Sequence, residues 1–199
     1  MMLVTEFMDG GDLRSVLDAS RTSRRFSWLH KMECALHIAE GLVYLHSLDT
    51  KVIHRDLKSR NVMLDSVSGA KITDFGVARE TNDATMTVGI GTYRWMAPEV
   101  LTDGHYTEKA DMFSFGVILA ELSTELVPYT DLSLSDAGII ARVMVGTLRP
   151  TFDTTESPPW FVEMGTQCLA LQADQRPTAA AVAYALRQAL KQTAETIVV

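Results

Sequence analysis

Between Val52 and Asp65 the chain reads VIHRDLKSRNVMLD, a stretch that places Asp56, Lys58 and Asn61 within six residues of one another. A carboxylate can accept a hydroxyl proton, an ammonium on a mobile stem can follow a phosphate oxygen, and an amide carbonyl is a hard ligand suited to magnesium. Asp74, 13 positions after Asn61, adds a charged metal ligand. Together these groups supply what phosphoryl transfer asks of a protein: an orienting base, oxygen ligands for a cation, and positive charge against the phosphates.

Such groups act only if they are held still. The apolar pair Val52-Ile53 before the loop and the apolar run Val62-Met63-Leu64 after it predict a short strand on each side. Lys71-Ile72-Thr73 predicts a second strand leading into Asp74, with Ser68-Gly69 as the intervening turn.

His54-Arg55-Asp56-Leu57, three residues and Asn61 match the protein-kinase catalytic loop; Asp74-Phe75-Gly76 matches the metal-binding triplet, and Ala97-Pro98-Glu99 the end of the activation segment. Each triplet is weak by itself, but their order is the family's, and Glu99 falls 25 positions after Asp74. The sequence resembles a protein kinase. The resemblance implies Asp56, Lys58 and Asn61 as catalytic residues, Asn61 and Asp74 as magnesium ligands, ATP as cofactor and a protein hydroxyl as acceptor. His54 and Phe75 take structural places in their motifs.

The chain has 199 residues, 47% of them hydrophobic, which suits one globular domain with a substantial core. Its net charge is −7, and no basic cluster exceeds Arg24-Arg25, which argues against a nucleic-acid partner. No apolar run reaches the length of a membrane span, and the start MMLVTEFMDGG lacks the pattern of a signal peptide. Cys34 and Cys168 lie in apolar helical patterns without metal-ligand spacing and read as buried thiols. A cytoplasmic location is expected, with room for a membrane segment upstream in a longer product.

In order along the chain, Met1 to Phe7 predicts a strand and Asp12 caps a helix to about Ala19. Ser27 caps a long helix to about Ser47, with His37 and His46 as surface or cap residues. Glu108 to Glu121 is apolar nearly all round and predicts a helix at the centre of a helical body, where Asp111 cannot be buried without partners. Further helices are expected over Ser133 to Val145, Pro158 to Leu171 and Thr178 to Gln192. The fold class is α+β and predominantly helical, with short hairpins around the loop: a kinase-like domain over 1–192 and a tail over 193–199.

The resemblance also implies that Leu3 to Met8 is the hinge, with Thr5 at the gatekeeper position and Glu6, Met8 and Met63 around the adenine. It implies that Asp111 accepts bonds from the catalytic-loop backbone and that Glu99 pairs with Arg176. The polar, threonine-rich stretch between Val77 and Ala97 becomes the activation segment; a phosphate on Thr85 or Thr87 could pair with Arg55, and Thr92 would face the catalytic Asp56 and Lys58. No glycine-rich phosphate loop and no strand lysine precede the catalytic loop, so the chain looks like a large lobe cut at the hinge. Lys58 resembles serine/threonine kinases, and Arg60-Asn61 with Trp95-Met96-Ala97-Pro98-Glu99 resembles the tyrosine-kinase-like group. Two other readings compete: a non-catalytic binding or regulatory lobe, and a small-molecule phosphotransferase. The segment Gly91 to Glu99, similar to a peptide platform, argues against the last.

Overall fold

The computed structural model describes residues 5–23, 26–74, 91–104 and 107–197. Its centre is the helix α4, Glu108–Thr124, in which every side chain from Ala110 to Ser123 is buried. Thr107 caps it by accepting the Lys109 N–H, and Glu125, in the left-handed region at φ 58°, ends it. Because α4 is apolar nearly all round, other helices can pack around it, and α6, Pro159–Cys168, meets it at a glycine. A Cβ on Gly116 would stand 2.8 Å from Cys168 Cβ, so only glycine fits that contact.

Before α4 come α1, Leu13–Ser23; α2, Trp28–Ser47; and α3, Pro98–Asp103. After it come α5, Asp136–Met144; α6; and α7, Ala179–Ile197. α2 lies between α7 and the small sheet. Its Ser27 cap accepts the His30 N–H, and Trp28 meets Phe161 of α6 edge to face at 4.9 Å between ring centroids.

The sheet has three antiparallel strands in the order β1 (Gly11–Asp12), β2 (Val62–Asp65), β3 (Gly69–Ile72). The register pairs Asp12 with Met63, and Met63 with Lys71. Asp65 closes the β2–β3 turn by accepting from the backbone of Val67 and Ser68, and these bonds hold its carboxyl down to about 2. Asp12 does two jobs: it ends β1 and caps α1 through Ser15 N and Ser15 Oγ. Burial alone would raise its pKa, but those bonds and the Arg60 charge outweigh it and leave the carboxyl below its usual range.

Several expectations are corrected. Thr5 to Phe7, the described part of the predicted first strand, forms no strand, and Phe7 is exposed; its paired feature is the surface ion pair of Glu6 with Lys71. Ile53 forms only an isolated bridge where a strand was expected. α1 runs on to Ser23. α5 starts from Ser135, whose hydroxyl accepts the Gly138 N–H; Ser133 offers the same chemistry two residues too early. α7 continues to Ile197, because its alanine-rich helical pattern has no breaker at Gln192, so the expected tail over 193–199 begins inside a helix.

Candidate active site

Asp111, in the first turn of α4, organises the loop around Asp56. Its Oδ2 accepts the backbone N–H of His54 at 2.9 Å and its Oδ1 that of Arg55 at 3.0 Å, so one buried carboxylate fixes two successive peptide groups. Arg55 is thereby held in the left-handed region at φ 70°, a conformation that costs a non-glycine residue roughly 1 to 3 kcal/mol. The third partner of Asp111 is His46 Nε2 at 2.9 Å. His46 is therefore a half-buried anchor of the loop, where a surface or cap role is expected from sequence. His37 is also tied in, with its ring against Gly69 and its Nδ1 accepting the Ala70 N–H.

The His54 ring connects the loop to the strand end carrying Asp74. Its Nε2 is 2.9 Å from the carbonyl of Thr73; a carbonyl only accepts, so Nε2 bears the proton and Nδ1 is left to accept the Asp56 N–H at 3.4 Å. A second tie is Thr73 N–H to Asn61 O at 2.9 Å. Asp74 follows directly, exposed and at φ 64°.

Asp56, Lys58 and Asn61 converge on one another. Lys58 Nζ donates to Asp56 Oδ2 at 2.7 Å and to Thr92 Oγ1 at 3.2 Å. The Asn61 amide donates to Asp56 O at 2.8 Å and to Asp56 Oδ2 at 3.0 Å, which turns its carbonyl oxygen away from Asp56 and leaves it available as a ligand. Asp56 Oδ1, by contrast, is buried and receives no hydrogen bond from the described residues. A buried carboxylate oxygen without a donor is costly, and a hydroxyl arriving at that point would remove the cost. This oxygen and the Asn61 carbonyl, with exposed Asp74 nearby, fit an acceptor hydroxyl and a hard cation.

Beside Lys58 lies a 3-10 turn, Thr92–Trp95, entered from Gly91 at φ 93°. Arg94 ties it to the Pro128 carbonyl at 2.6 Å and to Asp136 of α5 at 3.0 Å. Ser114 of α4 donates to the Trp95 carbonyl at 2.7 Å. Farther out, Arg176 grips both oxygens of Glu99 at 2.7 Å and also donates to the Ala170 and Lys109 carbonyls.

Of the residues expected around the adenine, Thr5 and Glu6 are exposed, while Met8 and Met63 are half-buried. Met63 points away from the face on which its neighbours Val62 and Leu64 meet the core. Phe75, Thr85 and Thr87 lie outside the described residues. Two contributors were missed in the sequence, Arg14 and Glu121, a fully buried pair 2.9 Å apart. A glutamate in an otherwise apolar helix was the available signal.

A mostly helical body, with a small antiparallel sheet bracketing a polar loop, is a kinase-like α+β fold. The family model described as protein tyrosine and serine/threonine kinase matches residues 1–186. Serine/threonine-protein kinase STY46 of Arabidopsis thaliana is 36% identical over 196 residues, covering 98% of this chain and 33% of the relative. Probable serine/threonine-protein kinase drkC of Dictyostelium discoideum is 37% identical over 182 residues, covering 89% of this chain and 24% of the relative. The chain belongs to the protein tyrosine and serine/threonine kinase family. It spans about a third of the length of the first of these relatives and about a quarter of the second. No helix among the described residues is long and apolar enough to cross a membrane.

Proposed function

We propose that this chain carries the catalytic loop and acceptor platform of a cytoplasmic serine/threonine protein kinase of the tyrosine-kinase-like group, acting on protein hydroxyls with ATP and magnesium. The observation that carries the proposal is Asp56 Oδ1, which has no donor among the described residues, beside a lysine and an amide already fixed on Oδ2. Kinase names among the relatives support the same reading.

In this mechanism Asp56 Oδ1 accepts the proton of a serine or threonine hydroxyl and orients its oxygen toward the γ-phosphorus. The new P–O bond forms as the bond to the departing ADP oxygen breaks. Lys58 supplies positive charge next to the moving phosphoryl, and Thr92 and Asp56 hold that ammonium from two sides. Asn61 and Asp74 would hold magnesium, which offsets phosphate charge when bound. Thr5, Glu6, Met8 and Met63 would form the adenine wall, and Arg55 would receive a phosphate placed on Thr85 or Thr87.

The test is transfer of label from γ-labelled ATP with magnesium to serine, threonine and tyrosine peptides. Wild type is expected to label serine and threonine, and Asp56→Asn to lose about 100-fold or more with its fold unchanged. Undiminished transfer by that variant, or label on tyrosine alone, overturns the reading.

A further inference from the structure

The Glu121 carboxylate lies in α4 ten positions after Asp111, and three chain segments meet on it. Its Oε1 accepts from Arg14 of α1 at 2.9 Å and from Ser59 Oγ of the catalytic loop at 2.7 Å, and its Oε2 accepts from the Trp95 indole N–H at 2.7 Å. The side chain is shut off from solvent, and burial pushes its carboxyl up against the pull of the three donors. Arg14 is equally buried and also donates to the carbonyls of Glu125 and Leu126, where α4 ends. α1 is thus bolted to α4 at the same place.

Placement matters more here than cohesion. Ser59 is the residue next to Lys58, and Trp95 stands one 3-10 turn after Thr92. Lys58 and Thr92 are the two partners whose 3.2 Å contact joins the catalytic loop to the acceptor platform. One carboxylate therefore fixes the residue beside each of them. Only a carboxylate can do so: a glutamine presents one acceptor oxygen and turns its NH2 toward another donor. Apolar side chains of similar volume in place of the ion pair leave no buried charge stranded, but they leave the Ser59 hydroxyl and the Trp95 N–H without their acceptor.

Taking the phosphotransfer reading as given, we infer that Glu121 is a positioning residue that sets the register of the acceptor platform against Asp56 and Lys58, with Arg14 as the clamp through which α1 acts on that register. Asp111 holds the start of the catalytic loop and Glu121 its middle, so α4 is a ruler with two marks. The coupling reaches the acceptor side and leaves the nucleotide side untouched.

Two variants separate position from stability: Glu121→Gln, and the apolar pair Arg14→Met with Glu121→Met. Hydrogen exchange followed by mass spectrometry is expected to speed up about tenfold or more in segments 54–61 and 91–98 of both, with 112–120 unchanged. The double variant strands the Ser59 hydroxyl and the Trp95 N–H, so its denaturation midpoint is expected to fall, and only exchange in 54–61 and 91–98 faster than that fall accounts for reports lost register. In peptide kinetics, KM for the acceptor rises or kcat falls about tenfold while KM for ATP stays within twofold. Unchanged exchange in both segments, exchange raised evenly along the chain, or equal change in both KM values overturns the inference. Exchange does not depend on turnover, so an inactive wild type with the expected exchange pattern counts against the phosphotransfer reading and leaves the coupling standing.

Discussion

Asp111 Oδ2 accepts the backbone N–H of His54 at 2.9 Å, across 57 positions of sequence. Through that bond and its twin to Arg55, the start of the central helix fixes the backbone of the loop bearing Asp56. Replacing Asp111 with alanine leaves two buried N–H groups and the His46 N–H without an acceptor, a loss of about 3 kcal/mol or more. Urea denaturation of Asp111→Ala should show it. A midpoint within error of wild type would mean that water or another acceptor replaces the carboxylate.

Glu99 and Arg176 form a two-bond fork in which Arg176 is fully buried and Glu99 is about a quarter exposed. Glu99→Ala strands the guanidinium, and a loss toward the lower end of about 3 to 5 kcal/mol is expected, because the carbonyls of Ala170, Lys109 and Leu171 still receive its other hydrogens. In a double variant, Glu99→Leu with Arg176→Met, much of that loss should be recovered. Thermal denaturation of the three proteins checks the order.

Cys34 and Cys168 are free, and burial pushes both thiols up to about 12. A thiol raised in the folded state keeps its proton where the unfolded chain, starting from 9.0, has lost it. The stability from these groups is thus complete below pH 9 and is lost as pH rises from about 9 to about 12. At pH 8, reaction with an aromatic disulfide reagent should be about 1,000-fold slower in the folded chain than in denaturant, since only the thiolate reacts. Comparable rates in the two states would place a thiol at the surface.

What the sequence made legible was local. Ser27 and Asp12 cap their helices through residues three positions on, and the order of Asp56, Lys58, Asn61 and Asp74 is itself a pattern. Family resemblance carried Asp111 and the Glu99–Arg176 pair. His46 and Arg14 stayed hidden because their partners lie 65 and 107 positions away, beyond any periodicity. Ser133 and Ser135 are equivalent as caps by type, and the structure uses the second, whose hydroxyl accepts the Gly138 N–H. The segment Thr5 to Met8 is apolar enough for a strand, yet its described neighbours give it only the Glu6–Lys71 side-chain pair. Propensity without a ladder partner makes no strand.

Titration calorimetry of magnesium-ATP against this chain tests the central claim most directly, that Asp56, Lys58, Asn61 and Asp74 form a phosphotransfer site. The account predicts a heat of binding that needs magnesium and that Asp74→Ala weakens at least about tenfold, the loss of one charged metal ligand. Binding indifferent to magnesium and to Asp74→Ala, or no binding at all, would contradict it.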